Sequence, residues 1–143
     1  MKKKIWFVAF TVLVLLLIPI VCAGSAWLYT TTQLAIAKSR GIYESPEAGM
    51  QAKIKDGYVG IQKVYIMGSG PNFPNGELPH VWFVVARVYA DKRADGKAVG
   101  NERNDFDFPG SFYIKTGKGW VWVPEGAFPV LLGKLMEYFQ ITG

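Results

Sequence analysis

The sequence predicts an α+β protein: an N-terminal transmembrane helix, then a helix packed on a curved antiparallel sheet, with a short C-terminal helix last. Three observations carry this reading. Residues Ile5–Ala23 hold no charge, and Ser45-Pro46-Glu47 opens a short amphipathic segment. From Tyr58 to Val123, runs of Val, Ile, Tyr, Trp and Phe alternate with glycine and proline, which is the grammar of strands and turns.

The uncharged run comes first in the chain. At ~1.5 Å per residue it reaches ~28 Å, about the hydrocarbon thickness of a bilayer. Lys2, Lys3 and Lys4 precede it, and basic residues stay on the cytoplasmic side while the following chain is exported. A cleaved signal peptide has the same form: Pro19 can end its helix, and Ala23-Gly24-Ser25-Ala26 offers small residues to a peptidase. The run exceeds the ~7–15 residues of a signal-peptide core. A retained signal-anchor over residues 1–26 is therefore expected, with the C-terminal domain extracytoplasmic at the cell membrane; secretion after cleavage is the alternative. Lipidation of Cys22 is disfavoured because Val21 precedes it, where a small residue is required. A core helix of a soluble protein is disfavoured because the run has no polar face.

A tether over residues 27–44 should follow. Trp27-Leu28-Tyr29 suits the outer membrane interface. Thr30 to Ala37 either continues the helix or forms a polar stalk, and Lys38-Ser39-Arg40-Gly41 ends the pattern. Residues 45–143 then form one domain. The net charge of +5 owes three to Lys2–Lys4; the exported part carries thirteen basic against eleven acidic residues. That balance gives no footprint for nucleic acid. Cys22 is the single cysteine, so the domain has no disulfide and must hold by packing.

Within the domain, Ser45 can cap a helix over Pro46–Asp56, with proline at its first position and Glu47 at its positive end. Met50 and Ile54 share its apolar face, and Gly57 can supply a left-handed cap. Strands follow at Tyr58–Gly68 and Val81–Ala90, the second apolar on both faces at its start and so central. Between them Pro71, Pro74 and Pro79 stiffen a long loop. Ser111–Thr116 and Trp120–Val123 read as a hairpin through Gly117-Lys118-Gly119, with Trp120 and Trp122 on one face and Val121 and Val123 on the other. Pro129 opens a last helix whose Val130, Leu131, Leu132, Leu135, Met136 and Phe139 should lie against the concave face of the sheet.

This order of a helix followed by long antiparallel strands, over Ser45 to Val123, resembles the cystatin-like and nuclear-transport-factor-like α+β rolls. An open sandwich is the alternative. Pro79-His80-Val81-Trp82-Phe83-Val84 and Gly119-Trp120-Val121-Trp122-Val123-Pro124-Glu125-Gly126 resemble small exported proteins of unassigned function from Gram-positive bacteria. The resemblance implies a membrane-anchored extracytoplasmic domain and supplies no catalytic residues.

Chemistry has few places to sit. His80 is the single histidine; with Asp105 and Asp107 it forms the one candidate set for proton transfer in an envelope enzyme. A strand-edge histidine with one satisfied hydrogen bond explains it more simply. Asp91, Asp95 and Glu102 fall on a calcium-loop register, but Arg93 stands where a ligand oxygen is needed, and a turn through Asp95-Gly96 explains the same residues. No cofactor is expected, since no glycine-rich phosphate loop opens a helix. Aromatic residues are numerous, and Phe73, Trp82, Trp120 and Trp122 are the candidates for lining a ligand surface; most such side chains serve as core. The expectation is a binding or assembly module of the cell envelope, partnered by the membrane and by another envelope protein, a peptide or a glycan. The alternatives are the envelope enzyme just described and a structural accessory docking through its C-terminal helix.

Overall fold

The computed structural model describes residues 1–71, 78–99, 107, 109–124 and 127–142. Helix α1 runs Lys2–Arg40, α2 runs Pro46–Gly57, and the strands are β1 (Tyr58–Pro71), β2 (Val81–Arg93), β3 (Gly110–Thr116) and β4 (Gly119–Val123), before α3 (Pro129–Tyr138). The class is α+β, and the sheet is an open antiparallel meander in the order β1-β2-β3-β4.

Helix α1 is 39 residues long without a break, about 58 Å at ~1.5 Å per residue. It is long and apolar enough to cross a membrane, and its apolar window is wholly exposed. Its last three turns behave differently. Thr30, Leu34 and Ala37 recur at i, i+4 and i+7 and are buried, and Leu34 and Ala37 join the core. Of the two readings of Thr30–Ala37, continuation of the helix is the one observed. The reason is tertiary: one stripe of this segment has a sheet to lie on.

The sheet has two faces with different cover. On one, α2 packs Met50 and Ile54 against Val84, Ala86, Val88, Ala90 and Tyr113. The Ser45 side chain accepts from the Ala48 amide at 3.0 Å, with Pro46 at the helix start. The left-handed cap expected at Gly57 is absent: α2 passes directly into β1, with extended geometry at Tyr58. The Gly57 carbonyl is instead taken by the Ala94 amide at 2.8 Å, so no special turn is needed to satisfy it. On the other face, Leu34 and Ala37 of α1 and Leu132 and Met136 of α3 cover Val81, Ile114, Val121 and Val123. The alternation expected in β4 follows, with Val121 and Val123 buried and Trp120 and Trp122 against the α2 side.

Two loop features position these layers. The hairpin between β3 and β4 turns through Gly117-Lys118, with Thr116 opposite Gly119. Gly119 has φ 139, and a Cβ there would stand 2.7 Å from the Tyr43 carbonyl oxygen. That close approach lets Tyr43 and Trp120 exchange both backbone hydrogen bonds at 2.8 Å, which partly closes the outer edge of β4. Helix α3 opens at Pro129 as expected, but its apolar stripe is only half covered: Leu132 and Met136 are buried while Leu131 is exposed.

Candidate functional site

His80 sits just before β2, beside an open cleft of about 400 Å³ lined by Lys115, Thr116, Met136, Glu137 and Ile141 among others. Its Nε2 lies 3.0 Å from the Gly133 carbonyl oxygen. A carbonyl can only accept, so Nε2 carries the proton and donates. Nδ1 stands 3.7 Å from Glu137 Oε1. This is a histidine fastening α3 to the start of β2.

Asp107 lies elsewhere. It bridges Val88 through both backbone hydrogen bonds at 2.9 Å, accepts from the Tyr58 hydroxyl at 2.7 Å and stands 3.6 Å from Arg93 Nη1. Val88 is eight positions along β2 from His80, about 26 Å at ~3.3 Å per residue. The structure does not bring His80 and Asp107 into one cleft, so these two cannot share a proton within hydrogen-bond reach. Asp105 lies outside the described residues. Burial, then the hydrogen bond and charge of Asp107, hold the Tyr58 phenol well above its usual pKa.

Asp91 accepts from Gln62 Nε2 at 3.1 Å. Asp95 accepts from the Lys97 amide at 3.0 Å and lies 3.7 Å from Arg93 Nε, with Gly96 at φ 82. These residues build a turn. Glu102 lies outside the described residues, and among the described ones no group of three or more His, Cys, Asp or Glu stands together.

The tryptophans are mainly structural. Trp82 and Trp120 meet edge to face at 5.6 Å, and the Trp82 indole donates to the Pro79 carbonyl at 2.9 Å. Trp122 carries the Arg40 guanidinium at 5.2 Å and the Lys53 ammonium at 4.8 Å. Trp120 and Trp122 pack on the α2-side core. Phe73 lies outside the described residues.

The open surface is on β1 and β2. Among the described residues, α1 and α3 pack mainly on β3, β4 and Val81 at the start of β2, so no described helix packs on the same face of β1. Register puts Tyr65 opposite Arg87 and Lys63 opposite Tyr89 there, with Gly68 opposite Val85 and Gly70 opposite Phe83. Tyr65 and Tyr89 meet edge to face at 6.1 Å, and Phe83 and Phe112 meet at 4.7 Å. Among the described residues, nothing stands within 4 Å of a Cβ built at Gly68 or Gly70. The result is a glycine floor between two aromatic pairs. Tyr65 is 49% and Met67 52% exposed.

The outer edge of β1 is equally open: no described strand pairs with it beyond β2. An edge of this kind presents a row of unpaired amides and carbonyls. Two bulges, at Ile61/Lys63 and Ile66/Gly68, twist it and divide it into short straight runs, Lys63–Ile66 and Gly68–Pro71. Sequence reasoning missed this surface. The only available signal was β1 itself, where Val59, Ile61, Tyr65 and Met67 mix with glycines and Lys63 rather than forming one apolar face.

No protein-family model, curated protein or solved structure matches the chain.

Proposed function

We propose that this is a single-pass membrane protein whose extracytoplasmic domain is a binding or assembly module, capturing an extended segment of another cell-envelope protein along β1. The observation that carries the reading is the β1 edge, unpaired among the described residues beyond β2, beside the Tyr65–Tyr89 and Phe83–Phe112 pairs. An added strand satisfies the edge's backbone groups, while side-chain pockets on the sheet face supply selectivity. A protein segment fits better than a glycan, because the exposed backbone asks for amides and carbonyls in a row. The opposite edge, on β4, is partly closed by Tyr43, which favours β1 as the pairing edge.

The address rests on α1. Lys2–Lys4 favour a cytoplasmic N-terminus. Helix continuity through Cys22–Ala26 into the buried Thr30, Leu34 and Ala37 favours a retained anchor, since a peptidase needs extended backbone at its cleavage site.

Photo-crosslinking from residue 65 or 67 in native membranes, followed by mass spectrometry, tests the proposal. Adducts with one envelope protein from Tyr65 and Met67, and not from Tyr138 on α3, are expected. Adducts from Tyr138 alone would instead support docking through the C-terminal helix, and the β1 reading would fail.

A further inference from the structure

We propose that the domain rests on the outer leaflet through a lipid-contacting foot formed by Phe128, Leu131 and Lys134 at the start of α3, beside Trp27 and Leu28 of α1. The inference depends on α1 being a retained span.

Height comes from one hydrogen bond. The Tyr29 hydroxyl donates to the Ala127 carbonyl, which fixes the residue before Phe128 at the level of Tyr29. Tyr29 is six positions beyond Ala23, about 9 Å at ~1.5 Å per residue. The headgroup layer beyond the hydrocarbon is about 5–7 Å thick on each side, so the start of α3 stands at its outer boundary, within side-chain reach. The exposed Trp27 and Leu28 carry α1's apolar surface up to the same level.

The chemistry at that level suits lipid. Phe128 is 67% and Leu131 49% exposed. Lys134 follows one turn later on the same patch as Pro129 and Val130. Two large apolar groups backed by a cation suit the outer part of the headgroup layer, where apolar side chains reach inward and an ammonium meets phosphate. Phe128 also has φ 47, a left-handed conformation that a bulky residue adopts at a cost. The fold thus holds a phenylalanine outward, in strain, at the outer boundary of the headgroup layer. Its side chain has no place in either core cluster, and the membrane that α1 enters is the surface at hand to cover it.

The test uses the full chain with Cys22→Ser, reconstituted in phosphatidylcholine nanodiscs. Single nitroxide labels are placed by Phe128→Cys, Leu131→Cys, Val14→Cys and Tyr138→Cys. Accessibility to oxygen and to a water-soluble nickel complex is then read by power saturation. Val14 at mid-span should see oxygen and little nickel, and Tyr138 the reverse. Phe128 and Leu131 should fall between them, with nickel accessibility several-fold below that of Tyr138. Equal nickel accessibility at Phe128 and Tyr138, with Val14 in lipid, overturns the foot and leaves the anchor standing. Low accessibility to both reagents at Phe128 means that protein, such as a second copy, covers the patch; this also overturns it. A water-exposed Val14 removes the anchor and the foot together.

Discussion

Gly49→Ala tests the seating of α2, which decides which face of the sheet is left open. Gly49 lies in the first half of α2 against two aromatic rings. A Cβ at that position would stand 2.5 Å from Tyr113 Cε1 and 2.9 Å from Tyr43 Cδ2. Both are closer than real side chains approach, and the Tyr113 ring is fully buried, 0% exposed, in register between Trp82 and Trp122. It has nowhere to swing. Alanine gains about 1 kcal/mol of helix propensity over glycine, while overpacking a filled site costs ~1–3 kcal/mol. The net is a destabilisation of about 0–2 kcal/mol. Gly57→Ala is the matched control: the same helix, with nothing within 4 Å of the new Cβ, and an expected stabilisation of ~0.4–1 kcal/mol. Urea unfolding of the full chain in detergent, followed by near-ultraviolet circular dichroism, reads both. The two variants should move the midpoint in opposite directions. A Gly49→Ala midpoint raised as far as that of Gly57→Ala would refute the close seating of α2 on Tyr113.

Four further outcomes follow from the same packing. Leu34→Ala should cost ~2–5 kcal/mol, as for other buried leucines, measured by the same unfolding assay; a cost under ~0.5 kcal/mol would mean that α1 ends at the membrane and contributes nothing to the core. The Tyr113 hydroxyl is buried without a hydrogen-bond partner of good geometry among the described residues. Tyr113→Phe should therefore stabilise the fold by about 1 kcal/mol. Burial holds both Tyr113 and Tyr58 protonated above their usual range, so above pH ~10 the unfolded chain releases protons that the fold retains. Stability should be full below that pH and fall as pH rises past it, less steeply in Tyr113→Phe; a stability flat up to pH ~11.5 would contradict this. Phe128→Gly should relieve the left-handed strain and raise stability by up to about 1 kcal/mol in detergent unfolding, whereas a loss of 2 kcal/mol or more would place Phe128 in the core.

What the sequence revealed and what it hid have physical reasons. Local chemistry was legible: Ser45-Pro46-Glu47 named its helix start, Gly117-Lys118-Gly119 its hairpin, and Trp120/Trp122 against Val121/Val123 their two faces. Each depends on neighbours within a few residues. The inward role of α1 was hidden because Thr30, Leu34 and Ala37 are a sparse stripe among polar residues, meaningful only once a sheet lies beside it. The distance between His80 and Asp107 was hidden for another reason: strand β2 separates them by its length, and spacing in sequence carries no such measure. The open β1 face was least legible. Tyr65, Met67 and the glycines at 68 and 70 become a surface because, among the described residues, α1 and α3 pack on β3, β4 and the start of β2 rather than on β1. The tryptophans drew attention by size, yet Trp122 is held by Arg40 and Lys53, while the smaller Tyr65 stayed exposed.

Amide hydrogen exchange reads whether β1 serves as a pairing edge. Peptides covering Tyr58–Pro71 would be followed by mass spectrometry in the isolated full-length protein and in the complex recovered from native membranes. An edge strand leaves alternate amides unpaired, so about half of the β1 amides should exchange fast in the isolated protein and become protected in the complex. Unchanged exchange along β1, with protection appearing instead at the His80 cleft or along α3, would rule out β1 as the pairing edge.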